Sequence, residues 1–509
     1  MLTRLKVNGF KNLVDVDIYF GPFTCIAGAN GVGKSNLFDA ITFLSALADL
    51  PLVEAALSIR DEKGKTSDIR SIFHRIGEQY SDEISFEAEM IVPEEATDDL
   101  GQKAKASITF LRYAVSLAYR SGEHSTQPGT LELTKEELEH INLGDATKHL
   151  FFDHSGSWRR SALKGKRTAS FISTEQEDGK RIIKLHQDRG GIKDGGGGGG
   201  RTLSRLAKTL PRTVLSASNA AENRTALVAR REMQSWRLLQ LEPSALRKPD
   251  PFTAPSRLGS DGSHLAATIN HLAHTNYSDD FNEGDIYAKI GNRLTELIDD
   301  VYKVWIDRDE RRELFNLYVQ DRDGTPYPAR ALSDGTLRFL ALTVIELDPA
   351  SQGLLCLEEP ENGIHPERIP AVLKLLQDIA TDPHEPIGLD NPLRQVIVNT
   401  HSPAVVQEVE DESLLCAQLK EKIQNGKRFK SVCFCGLHET WREDIPNNTN
   451  YCSRGQLAAY LNPSRSKGDI SDKEELKNYR YNKLRKRQPR RVVDRNDMQI
   501  LLPLSHLSE

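Results

Sequence analysis

Residues 28–35 read Gly-Ala-Asn-Gly-Val-Gly-Lys-Ser, and such a stretch leaves a chain few ways to fold. It fits the pattern GxxxxGK[ST] at every fixed position. The glycines let successive backbone N–H groups turn inward around a phosphate, and a helix starting at the lysine adds its dipole to the same anion. The flanks agree. Phe23–Ala27 is a short apolar run, as a strand buried on both faces requires. From Lys34 the period changes, and Leu37, Ala40, Ile41, Leu44, Leu47 and Ala48 fall at helical spacing. Strand, glycine loop and helix predict an α/β P-loop fold. In it Asn30, Gly31 and Gly33 shape the loop, Lys34 reaches the β- and γ-phosphates of ATP, and the Ser35 hydroxyl binds Mg2+.

Such a loop needs a carboxylate on a neighbouring buried strand. Leu354-Leu-Cys-Leu357 supplies the strand, and Glu358 and Glu359 stand at its C-terminal end, where ligands bind in open α/β sheets. Glu358 is placed to organise the Mg2+, and Glu359 to polarise an attacking water. Upstream, Leu332-Ser-Asp-Gly-Thr336 precedes Leu337, Leu340, Ala341 and Val344 at helical spacing, so Ser333 caps a helix and Gly335 relaxes its first turn. Downstream, Gln395–Asn399 reads as another buried strand ending in Thr400-His401-Ser402-Pro403. Near the N-terminus, Leu5 and Val7, then Val14, Val16, Ile18 and Phe20, alternate with polar residues as half-buried strands do.

Composition narrows the class. Of 509 residues, 38% are hydrophobic and 28% charged, which is polar for a globular protein but enough for a substantial core. Lys plus Arg is 67 and Asp plus Glu is 73, a net charge of −6 that excludes a globally basic nucleic-acid coat and leaves local basic patches open. Six cysteines fit a reducing compartment better than a disulfide scaffold. The opening MLTRLKVNGF lacks a signal-like apolar run, and no stretch approaches the roughly 18 apolar residues of a membrane span. A cytoplasmic protein without a membrane partner is expected.

The order of these motifs resembles the head of ABC ATPases: P-loop, LSxG-type signature, apolar strand with two acids, then a histidine after a strand. The words LSDGTLRFLAL (332–342), LEEPENGIHP (357–366), NTHSP (399–403) and the opening VNGFKNL (7–13) are similar to those of the soluble SMC/RecF/OLD-type members of the AAA and ABC ATPases. The match covers residues 1–50 and 331–405. It implies an ATP-sandwich dimer or higher oligomer. Ser333 and Gly335 would then act in trans on the γ-phosphate held by the partner copy. His401 would contact the γ-phosphate and the water, and Asn362 and His365 would lie in the loop that crosses the interface. Asp334 stands where transporters carry glycine and brings negative charge near phosphate. For the glutamine that such heads carry after the P-loop helix, Gln79 is the nearest candidate. A short head without a long coiled coil looks like bacterial anti-phage defence ATPases of the Septu type. That implies an effector nuclease partner, often of the HNH type, and no nuclease activity in this chain. The alternatives are a nucleotide-gated DNA-repair or DNA-clamp ATPase of the RecF/SMC type and a self-contained OLD-type nuclease. The latter needs an acidic metal-binding domain, and no Glu plus Asp-x-Asp arrangement follows His401.

The sequence divides at 1–120, an ATPase lobe with the P-loop; 121–325, an insertion that is partly disordered around Gly195–Gly200 and then helical; 326–412, the lobe with signature, acids and His401; and 413–509, an extension with a basic tail. Leu227, Met233, Trp236, Leu239, Leu294, Leu297, Ile298 and Tyr302 carry the helical reading of 220–320. Cys433 and Cys435 share one face of a strand near His438 and Cys452, a spacing that fits no common zinc site. Residues 476–491 hold eight Lys or Arg and no acid, with Tyr479 and Tyr481 between them. That run can bind nucleic acid or dock an acidic partner surface, and a solvated tail is the plain alternative.

Overall fold

The computed structural model describes residues 1–61, 64–65, 68–121, 129–188, 202–275, 283–298, 301–424, 426–446, 450–461 and 490–495. Gly195–Gly200, Tyr479, Tyr481 and residues 476–489 as a whole lie outside the described residues.

Two sheets build the molecule. Strands β1 (Leu2–Asn8), β2 (Val16–Tyr19), β4 (Glu83–Ile91), β5 (Phe110–Arg120), β6 (Thr130–His140), β7 (Ile172–Glu177), β8 (Lys180–His186) and β9 (Thr202–Leu206) form an antiparallel sheet in the order β9-β8-β7-β6-β5-β4-β1-β2. Strands β3 (Phe23–Ala27), β10 (Arg237–Leu239), β13 (Gly353–Glu358), β14 (Arg394–Thr400), β15 (Leu414–Gln424) and β16 (Lys427–Cys435) form a second sheet, ordered β10-β13-β14-β3-β15-β16 and parallel except for the last pair. A small antiparallel sheet is built on β11 (Val301–Asp309) and β12 (Leu314–Asp321). The described helices include α1 (Lys34–Leu47), α2 (Arg224–Gln234), α3 (Leu265–His274), α4 (Glu283–Thr295), α5 (Asp334–Leu347), α6 (Ile369–Ile379), α7 (Pro403–Glu408) and α8 (Arg454–Leu461).

The parallel sheet is covered on both faces, which is why β3, β13 and β14 are near-continuous apolar runs. Side chains alternate between two cores. Leu354 and Cys356 join the core shared with α1 and the antiparallel sheet; Leu355 and Leu357 join the core under α5 and α6. Register then builds the working edge. Glu358 lies beside Asn399, and Thr400 beside Ala27, so the loops after β3, β13 and β14 open at one end of the sheet.

Helix α5 is fixed at both ends. The Ser333 hydroxyl accepts from the Thr336 N–H at 3.1 Å. At the other end the buried Arg394 guanidinium donates to the carbonyls of Ile345, Glu346 and Asp348, each at 2.9 Å. Arg394 opens β14, so the strand that delivers His401 also holds the end of the helix that starts at Ser333.

The expected divisions do not match the strand pairing. β5 and β6 pair from Leu111↔His140 to Arg120↔Thr130, straight across the 120/121 boundary. The antiparallel sheet runs on to Leu206. β6 hides this because it carries four glutamates and reads as polar or helical. Leu239 and Tyr302, expected on helices, lie in β10 and β11. The boundary at 412/413 also falls inside the central sheet, since Leu414 pairs in parallel with Cys25. Among the described residues no helix is long and apolar enough to cross a membrane.

One of those glutamates locks the sheet. Glu136 is fully buried and accepts from the N–H groups of Val214 (2.7 Å) and Leu215 (2.8 Å) and from the Tyr113 hydroxyl (3.2 Å). Glu136→Ala leaves three buried donors without an acceptor and is expected to cost about 3 kcal/mol of stability. Denaturant unfolding checks it, and an unchanged midpoint with an unchanged slope would show that the clamp is not needed.

Candidate functional site: a P-loop cavity

The loop after β3 is braced from outside. Gly33 has φ +107°, and a Cβ there would fall 2.2 Å from the Asn12 side-chain nitrogen, so only glycine fits. Asn12 donates to the Val32 carbonyl at 3.0 Å and accepts from Asn36 at 2.8 Å. The VNGFKNL segment thus serves as the outer wall of the P-loop. Helix α1 begins with no side-chain cap, so no side chain competes with an anion for the positive end of its dipole. Lys34 is buried, and its Nζ donates to the carbonyls of Gly28 (2.6 Å) and Ala29 (3.0 Å). Burial pulls its pKa down, while Glu359, Glu358 and Glu361 oppose that shift.

The acids close the other side. Glu358 ends β13, and Asn399 donates to its Oε1 at 3.4 Å. Glu359 sits in the left-handed region at φ +48°, a conformation costly for a non-glycine residue. Three contacts hold it there. Its N–H donates to the Asn399 carbonyl at 2.9 Å, its Oε1 accepts from His401 Nδ1 at 2.6 Å, and its Oε2 accepts from Asn362 at 2.8 Å. The next acid, Glu361, is buried and accepts from the Thr400 hydroxyl; burial raises its pKa. Thr400 Oγ1 in turn accepts from the Ser402 N–H at 2.9 Å, so the turn carrying His401 is held from both sides.

Between them lies a cavity of about 630 Å³. Asn30, Gly31, Gly33, Lys34, Ser35, Glu358 and Glu359 all line it, and His401 is tied to it through Glu359. A cationic loop, the N-terminus of α1 and facing carboxylates suit a nucleoside triphosphate with Mg2+, with Ser35 and Glu358 as the groups that would hold the metal. Ser333 and Gly335 are not in its wall. Ser333 is exposed at the start of α5, whereas Gly335 is buried two residues further in, where a Cβ would fall 2.5 Å from the Gly363 carbonyl. His365 is exposed, with Nδ1 3.7 Å from Glu367.

The reading of Gln79 is corrected. It is exposed on a short two-residue strand and accepts from Lys427 Nζ at 3.0 Å, away from the cavity. The glutamine in the cavity wall is Gln240, directly after β10, which lies beside the acid-bearing β13. A three-residue strand has too little periodicity to reveal this in sequence; only its parallel register with Leu355–Leu357 does. Cys433 and Cys435 do share a face of β16, with sulfurs 3.7 Å apart, while His438 stacks on Tyr451. Of the basic run, Arg490 and Arg491 are described, and both are ion-paired within the chain. Arg490 meets Asp411 at 3.2 Å, and Arg491 meets Glu408 at 3.0 Å.

A parallel sheet with a P-loop, paired acids and a histidine at one edge, beside an antiparallel sheet and a capped signature helix, defines an ABC-type P-loop ATPase head of the SMC/RecF/OLD kind. The chain belongs to the family described as "AAA domain, putative AbiEii toxin, Type IV TA system", whose model matches residues 23–164 and 200–407. It is similar over 41 residues, at 49% identity, to an OLD nuclease of Thermus scotoductus, a stretch covering 8% of each chain. It is similar over 46 residues, at 44% identity, to a DNA replication and repair protein RecF of Parabacteroides distasonis, covering 9% of this chain and 13% of that one. The chain therefore spans only about a tenth of the length of the curated relatives it matches. Solved structures with a similar course include the SMC head domain from Thermotoga maritima, at 12% identity and a TM-score of 0.34, covering 86% of this chain and 99% of that one. Another is an Smc head with an extended coiled coil bound to the C-terminal domain of ScpA from Pyrococcus furiosus, at 12% identity and a TM-score of 0.40, covering 86% and 96%.

Proposed function

We propose that this chain is an ATP-hydrolysing subunit that dimerises around nucleotide and uses its nucleotide state to control an effector nuclease, in the cytoplasm, in anti-phage defence. The observation that carries the enzymatic part is the meeting of Lys34, Glu358 and the His401–Glu359 bond in one cavity at the strand ends. Mg2+, where bound, would neutralise charge on the β- and γ-phosphate oxygens. The chain's own groups do the rest. Asn30, Gly31, Gly33 and Lys34 bind the phosphates, and Ser35 and Glu358 would hold the metal. Glu359, aligned by His401 and Asn362, takes hold of the water. Catalysis is then positioning and charge complementarity more than covalent chemistry.

Ser333 and Gly335 lie outside their own cavity, which supports a site completed by a second copy. The capped N-terminus of α5 is the natural group to face the partner's γ-phosphate. Ser333→Arg is expected to bind ATP normally as a monomer, to fail in ATP-driven dimerisation, and to turn over at least about a hundredfold more slowly. Mixed with Lys34→Ala, it should recover at most one composite site per dimer. Full activity of Ser333→Arg alone removes the trans role.

The defence reading is supported by the words LSDGTLRFLAL and LEEPENGIHP and by a family description that names a toxin and a type IV toxin–antitoxin system. Purification with the product of a neighbouring gene, followed by a nuclease assay with and without ATP, tests it. A nuclease that co-elutes and responds to ATP supports it. DNA-stimulated ATP turnover with no such partner favours the second reading, a RecF/SMC-type DNA clamp, which the partial match to a DNA repair protein supports. Metal-dependent cleavage by the chain alone favours the OLD-type reading.

A further inference from the structure

The signature helix carries an apparent contradiction. Asp334 is the first residue of α5 and is exposed. A carboxylate there suits the helix dipole of a lone molecule. It does not suit a second anion, because a triphosphate arriving at the same N–H groups would meet like charge.

Arg247 resolves it. Its Nη2 donates to Asp334 Oδ1 and, at 3.0 Å, to the Leu332 carbonyl just before the cap. Arg247 caps the single turn Pro243–Leu246, in the segment that leaves β10 and passes the ATP cavity at Gln240, Leu241 and Glu242. The same segment is tied to α5 a second time, since Arg338 Nε donates to the Leu241 carbonyl at 3.2 Å. Arg247 therefore reaches across 87 residues of chain to one acid, and that acid lies at the surface this chain would present to a partner's nucleotide.

We propose that Arg247 is a positioning residue of the signature face: it cancels the charge of Asp334 so that the start of α5 can receive the γ-phosphate of a nucleoside triphosphate held by a second copy. The proposal rests on the two-copy reading above. In the open monomer the pair is half solvated, and exposed ion pairs contribute little to stability. Closure expels water from the interface, and there an uncompensated like charge costs several-fold to many-fold in affinity. Arg247 should thus matter little to folding and much to closure.

The test compares the wild type, Arg247→Ala, Arg247→Gln, Asp334→Asn and the Arg247→Ala/Asp334→Asn double variant. Light scattering reads ATP-driven dimerisation, alongside melting temperature and ATP affinity. Arg247→Gln keeps a polar side chain with an N–H donor but carries no charge, so beside Arg247→Ala it separates the loss of charge from the loss of side-chain bulk. The expected result is near-normal melting and ATP affinity for both Arg247 variants, with dimerisation weakened at least about tenfold. Adding Asp334→Asn should restore it. Wild-type dimerisation in Arg247→Ala and Arg247→Gln overturns the proposal, and so does a double variant as weak as the single one. If the wild type itself stays monomeric with ATP, the two-copy reading falls first and takes this proposal with it.

Discussion

Lys34→Ala is expected to weaken ATP binding at least about a hundredfold, the scale of removing one partner from a buried, hydrogen-bonded charge pair. Lys34 is 7% exposed, and its ammonium lies against the Gly28 and Ala29 carbonyls, where a β-phosphate oxygen would replace them. The cavity wall opposite it holds Glu358 and Glu359. Without Lys34 the site loses its buried cation, and three wall carboxylates, Glu242, Glu358 and Glu359, face one remaining wall cation, Arg338, so the field that drew phosphate in turns against it. The helix N–H groups of α1 remain, which is why residual binding should persist at high nucleotide concentration. Calorimetric titration with a non-hydrolysable ATP analogue measures this directly. Wild-type affinity in that variant would take Lys34 out of the binding site and with it the reading of residues 28–35.

Glu359→Gln is expected to keep ATP binding and to slow hydrolysis by about 100- to 1000-fold, the range lost with a positioned general base or its electrostatic equivalent. The glutamine preserves size, and its amide oxygen can still accept from His401. Its amide nitrogen, however, faces the Asn362 donor where Oε2 accepted at 2.8 Å. Asn362 must turn its own oxygen inward to answer, which the exposed side chain can do. What does not return is the negative charge that polarises water. ATP should accumulate unhydrolysed, and the nucleotide-bound dimer should become the stable species by light scattering. Normal turnover in this variant would move the water-activating role to Glu358. Normal binding with slow turnover but no dimer would separate hydrolysis from the two-copy reading.

The loops and helices that hold these groups were legible to different depths. The P-loop, its strand and its helix are local: spacing, glycine and a change of hydrophobic period lie within about 25 residues, and period is the strongest local signal. The same holds for Leu354–Glu359 and for the helix capped by Ser333. The antiparallel sheet was legible only at its start. β6 carries glutamates at 132, 136, 137 and 139, and one of them, Glu136, is buried because Val214, Leu215 and Tyr113 supply its donors. No pattern within β6 announces partners some 23 to 79 residues distant. The division at 120/121 failed for that reason, and the division at 412/413 failed because Leu414–Cys416 find β3 some 390 residues earlier in the chain.

From residues alone came an α/β P-loop protein, the lysine of its loop, two acids on a buried strand and a histidine after another, because each is a short motif whose chemistry needs fixed neighbours. Tertiary structure alone decided which groups meet. It set His401 on Glu359, brought Gln240 into the cavity in place of Gln79, used Asn12 to wall the P-loop, and gave Asp334 its counter-charge in Arg247. These contacts join segments dozens to hundreds of residues apart, and parallel strand register rather than local pattern determines where such segments end. A one-residue slip in that register would reverse every side chain it places.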